Sequence, residues 1–370
     1  MSQVDPTLKA RDDGPLVHHD GFGGLVRRGG WDEQAISTFR LAAQAFEDGR
    51  FEDASDLARY TVEEAVEGHE IYGMGIESVP EYMRAHGVDD AVIEDEVRQI
   101  KALLDMPDGT PFDPEAGWQA YRDLIDRFVT LCRAGGGAEG LDLLETARVT
   151  WLQFHDRKCD WLCGLFAAVA RHLGEEHTIA IWDELMGSMY PAYARFDIDK
   201  RPWADSLDEM LHMAVFALRG HLSGPGRMGD VNIVEEEDRW RIEFDPCGSG
   251  GRTMRPDPDQ NLAARIEPPF NHAIAEEEHD WAWNRKGVCL YCTHCCQLGQ
   301  RKPIQLLGYP ARVIEPPVWP SDDPNPKCAW IVYKDPTKVP ERYYREVGEE
   351  KPDEFGMAAT QQRRAAEEQG

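Results

Sequence analysis

From residue 31 to residue 222, apolar side chains recur at three- and four-residue steps, the spacing that builds one face of a helix. Ile36, Phe39, Ala43 and Phe46 make one such stripe, closed by Gly49, and Ala54, Leu57, Ala58, Thr61 and Ala65 open a second. Further helices are expected over 88–105, 115–134, 139–173, 176–194 and 204–221. Turn signals separate them at Pro107-Asp108-Gly109, at Gly135-Gly136-Gly137 and between Asp199 and Pro202.

The texture changes after Gly226. Val231 and Ile233 alternate with polar residues, as do Trp240, Ile242 and Phe244, and the acidic run Glu235 to Asp238 lies between them. That pattern predicts a β-hairpin. Two more strands are expected at Ala311–Ile314 and Ala329–Tyr333. The link between them, Pro316 to Pro326, is too rich in proline to enter a sheet interior. The expected fold class is therefore α+β: a large helical N-terminal part, then a smaller cysteine-rich α+β part with an antiparallel hairpin. The divisions are an irregular lead-in over 1–30, a helical domain over 31–222, a metal-binding α+β domain over 223–348, and a polar tail over 349–370 that packs loosely.

Charge narrows the function classes. The 370 residues carry a formal net charge of −28, from 68 acidic and 40 basic side chains. Such a field repels phosphate backbones and anionic lipid surfaces, so neither nucleic acid nor membrane is an expected partner. No apolar run approaches the roughly 18 residues of a membrane span, and the first residues lack a secretory pattern. A cytoplasmic location is expected. Nine cysteines there do not read as a disulfide framework.

Their distribution carries more than their number. Cys289, Cys292, Cys295 and Cys296 fall in the run Val-Cys-Leu-Tyr-Cys-Thr-His-Cys-Cys-Gln. Two overlapping C-x2-C steps bring thiolates within reach of one soft metal centre, with Cys247 and Cys328 as remote ligands. Zinc is the expected cofactor, and a [4Fe–4S] cluster is the alternative, although the usual x3-C-P continuation is missing. Cys296, next to Cys295, is least able to aim at the same ion and reads as an unligated thiol. His155, Cys159 and Cys163 share one apolar helix stripe and read as core. Trp281 and Trp283, just upstream, are placed to wall or shield the site.

Cys247-Gly-Ser-Gly-Gly-Arg252 closes a strand and exposes successive backbone N–H groups, which suits either a tight turn or an anion site gripped by Arg252. It is one residue short of the C-x5-R loop of cysteine phosphatases. No G-x-S-x-G elbow, H-E-x-x-H helix or Rossmann glycine fingerprint is present. The leading expectation is a zinc-dependent hydrolase or lyase acting on a small anionic molecule. Arg252 would orient the substrate, and His294 or His221 would handle protons. The other expectations are a non-catalytic regulatory or interaction module with a structural zinc, and an iron–sulfur redox protein.

Overall fold

The computed structural model describes residues 5–257 and 261–367. Its helical part contains α1 (Thr38–Glu47), α2 (Phe51–Ala85), α3 (Asp90–Ala102), α4 (Pro114–Arg133), α5 (Gly140–His172), α6 (His177–Met186) and α7 (Trp203–Gly220). The fold is α+β. Boundaries follow local chemistry. Asp113 accepts hydrogen bonds from the amides of Glu115 and Ala116 and Pro114 opens the first turn, which together start α4. α5 is central because its stretch from His155 to Val169 is buried all round, the mark of a helix enclosed by others. Past Met186 the expected long helix tightens into turns over Gly187–Phe196, where Pro191 offers no amide hydrogen.

The C-terminal part is a four-stranded antiparallel sheet with an irregular, helical-turn-rich insertion. β3 (Asn232–Glu235) and β4 (Arg239–Phe244) form the expected hairpin, and β5 (Val313–Glu315) and β6 (Cys328–Tyr333) complete the order β3-β4-β6-β5. Between β4 and β6, Ile242 faces Trp330 and Phe244 faces Cys328. This register sets Cys328 beside the strand end that leads into Cys247. A single apolar core runs from Tyr72 and Met83 on α2 through Leu162 and Phe166 on α5 to Ile242, Val313 and Ile331 of the sheet. Trp203 adds a polar tie, donating its indole N–H to the Tyr333 carbonyl at 2.9 Å. A second core, around Phe39, Phe128 and Trp151, lies among the helices and takes in Leu222 just past α7.

Both ends differ from expectation. The lead-in contains an antiparallel hairpin, β1 (Leu16–His19) with β2 (Gly24–Arg27). Leu16, Phe22, Leu25 and Val26 pack there against Tyr60 and Phe216. Each strand is four residues long, too short to show alternation above background. The tail carries a helix, Met357–Glu367, which docks beside a short helix at Lys302–Leu307. Thr360 is buried there, and Met357 joins the Phe196–Tyr309 cluster. Among the described residues no helix is long and apolar enough to cross a membrane.

Candidate metal centre

Four thiols from three separate stretches of chain line one cavity of about 110 Å³ between α2, α7 and the cysteine-rich part: Cys247, Cys292, Cys295 and Cys328. His221 and His294 line it as well. Cys328 comes from β6 and Cys247 from the loop after β4. Cys292 and Cys295 sit on consecutive helical turns, Leu290–Cys292 and Thr293–Cys296. Trp283 contributes a wall, its indole N–H donated to Gln300 Oε1 at 2.6 Å.

The glycines after Cys247 serve close approach. A Cβ on Gly248 would lie 1.8 Å from the His221 carbonyl oxygen, and one on Gly250 would lie 2.3 Å from Cys292 Sγ. The turn lets backbone pass between the end of α7 and the cysteine run. This accounts for the Gly-Ser-Gly-Gly sequence without an anion.

Arg252 requires a correction. Its side chain does not line the thiol cavity and has little surface for gripping a substrate. The guanidinium is 5 % exposed and spans Asp156 and Asp160, with Nη2 at 2.6 Å from Asp160 Oδ1. Cys289 is a second correction, since its thiol does not line the cavity. Its backbone forms an extended bridge with Ile274 before the chain turns helical at Leu290, so the side chain faces α5. There it bonds with Cys163 as well as with Cys292. Cys296 is turned away, its thiol donating toward the Asp280 carbonyl at 3.6 Å.

The polar groups facing the cavity are chiefly electron-pair donors. His294 Nδ1 lies 2.6 Å from the Tyr291 carbonyl and must donate to it, which leaves Nε2 to accept from Cys295 at 3.3 Å. Burial pushes the Cys247 and Cys295 thiols up to about 11. Cys292 is raised by its bond with Cys289 and by burial, and Cys328 by burial. Burial lowers His294 to about 4 and holds His221 well below the usual imidazole range. The carboxyl of Glu67, also at the cavity, is raised by burial. Near neutral pH these are uncharged thiols and imidazoles. Unassisted, such thiols are poor nucleophiles. A metal cation reverses the balance, because coordination deprotonates sulfur.

The donors are spread. Thiolates arranged tetrahedrally at about 2.3 Å from one ion stand roughly 3.8 Å apart. Among the described residues, the only ligand trio within 4.8 Å of one another is His19, Asp208 and His212, far from the cysteines in sequence. That trio is explained without an ion. His19 Nδ1 accepts from the Phe22 amide at 3.0 Å, so in the neutral ring Nε2 carries the proton and donates to Asp208 at 2.7 Å. The nitrogen a metal would need is already protonated.

Sequence reasoning missed Asp156 and the part played by His155. His155 is fully buried, as its apolar stripe implies, but its ring bonds Asp156 on one side and His221 on the other. Burial holds His155 at about 4, and Arg227 and Arg252 keep Asp156 ionised against its own burial. The one legible signal was a His-Asp dipeptide on a helix whose apolar stripe continues through Leu162 and Phe166.

No protein-family model, curated protein or solved structure matches the chain.

Proposed function

We propose that the chain is an iron–sulfur protein whose cluster occupies the cavity and is held there by thiolates drawn from Cys247, Cys292, Cys295 and Cys328. The observation that carries this reading is four thiols lining one cavity with, among the described residues, no three ligand atoms there close enough for a single ion. An inorganic core of irons and sulfides fills the space between its thiolates, so its ligands stand farther apart than those of one zinc. The cluster would serve electron transfer, within an apolar shell that includes Trp283 and Trp330 and sets its potential through burial. This reading places the protein in a reducing compartment, where thiols persist.

A second reading keeps zinc on a subset of the same cysteines and a hydrolase or lyase acting on a small anionic molecule. It is favoured by His221, His294 and Glu67, which offer proton-handling groups at the same cavity, with Arg312 as the cation for an anionic guest.

Anaerobic purification followed by iron, zinc and acid-labile sulfide analysis separates the readings. Iron with matching sulfide and a broad visible absorbance supports the cluster. Stoichiometric zinc with no sulfide promotes the second reading. A colourless protein that holds neither metal, as isolated or after reconstitution with ferrous iron and sulfide, defeats both.

A further inference from the structure

The buried chain of side chains behind the cavity fixes where its protons sit. Asp156 accepts Arg227 through both oxygens, at 2.8 and 3.0 Å, and faces the Arg252 guanidinium at 3.2 Å. A carboxylate held by two guanidiniums only accepts hydrogen bonds. His155 Nδ1, at 2.9 Å from Asp156 Oδ1, must therefore donate. A neutral imidazole has one N–H, so His155 Nε2 is a lone pair. The atom facing it at 2.8 Å is His221 Nδ1, which must then carry the proton. Two lone pairs at that distance would repel. A doubly protonated His155 would place a third cation beside Arg227 and Arg252 in a dry site.

Tyr72 closes the same corner: its hydroxyl lies 3.3 Å from His155 Nε2 and 3.2 Å from His221 Nδ1, longer than the ring-to-ring bond, and it also bonds with Ser249, Tyr291 and Cys159. The remaining His221 nitrogen, Nε2, has no hydrogen-bond partner among the described residues, and the ring lines the thiol cavity. Gly68 on α2 makes room for it, since a Cβ there would lie 2.9 Å from His221 Cε1.

We propose that His221 is a nitrogen donor of the thiol cavity, its Nε2 kept free of protons by Asp156 acting through His155 and presented to a bound metal in place of one of the four thiolates. The inference rests on the metal reading above for what the nitrogen meets, while the proton placement stands on the hydrogen bonds alone. It extends the usual pattern, in which a ligating histidine is oriented by one carboxylate, to a two-ring chain. Asp156 and His155 are positioning residues. The direction of the chain is set at one end: Asp156→Ala removes the acceptor that pins the proton to His155 Nδ1, which frees both rings to exchange tautomers and lets Nε2–H appear on His221.

The first test is the ring-nitrogen NMR spectrum of the full chain labelled with ¹⁵N-histidine. Protons on Nδ1 of both His155 and His221, with a bare His221 Nε2, are expected in the wild type and in Tyr72→Phe. A mixture of tautomers, with Nε2–H appearing on His221, is expected in Asp156→Ala. A wild-type His221 protonated on Nε2 overturns the proposal without any variant having to fold. The second test is pulsed EPR of the labelled protein after reconstitution with ferrous iron and sulfide and reduction. A nitrogen coupling that disappears in His221→Ala is expected. A cluster that assembles without that coupling removes His221 as a donor while sparing the cluster itself. Failure to take up any metal removes the metal reading and the donor role together, and the NMR spectrum still decides the proton placement.

Discussion

Arg252 Nη2 lies 2.6 Å from Asp160 Oδ1, and both side chains are buried. The sequence suggests Arg252 as a substrate grip. Its position makes it instead the clamp that fastens the Cys247 loop to α5. Removing one partner of a buried pair strands the other charge, at a cost of about 3–5 kcal/mol. Arg252→Ala is expected to lower the urea-unfolding free energy by that order. A change below about 1 kcal/mol, with the fold intact, would restore the substrate role.

Metal content should follow the cavity and not the density of cysteines in sequence. At least three of Cys247→Ser, Cys292→Ser, Cys295→Ser and Cys328→Ser are expected to lower bound metal per chain. Cys296→Ser and Cys132→Ala should leave it unchanged, because Cys296 is turned toward Asp280 and Cys132 sits in the helical core. Elemental analysis of the six proteins decides this. Retention of metal in the Cys328 variant together with loss in the Cys296 variant would refute the assignment.

Gly220 ends α7 against the backbone of α2. A Cβ there would stand 1.8 Å from the Glu64 carbonyl oxygen. Neither backbone can swing aside as a side-chain tip can, and Glu64 also holds Arg219 at 2.6 Å in a buried ion pair. Gly220→Ala is expected to destabilise by at least the ~1–3 kcal/mol typical of overpacking. A thermal-unfolding midpoint equal to that of the wild type would show that the helices part freely.

Acid should loosen the fold before the carboxylates titrate. His155 and His272 are buried and neutral, each lowered from 6.5 to about 4 chiefly by burial. In that interval the unfolded chain binds more protons than the native one, so stability rises with pH. The contribution is full above about pH 6.5 and is lost as pH falls toward about 4, on the order of 3 kcal/mol for each ring. Urea midpoints at about pH 7.5 and about pH 5 should differ, the acid value being lower. His155→Gln should reduce the difference. A pH-independent midpoint over this range would contradict neutral burial.

The sequence alone determined the helices, the hairpin and the cysteine centre as a place to look, because periodicity and spacing are local properties. The stripe over 139–173 becomes α5 (Gly140–His172) almost residue for residue, and the alternation from Val231 to Phe244 becomes β3 and β4. Tertiary structure decided which thiols share a cavity. Cys289 and Cys292 have the same spacing as Cys292 and Cys295, yet Cys289 belongs to an extended bridge and Cys292 to a helical turn. Cys328 meets Cys247 only through the pairing of β4 with β6. The role of Asp156 was invisible for the same reason: its chemistry lies in Arg227, Arg252 and His155 converging on it, and only packing brings the two arginines to the buried face of α5.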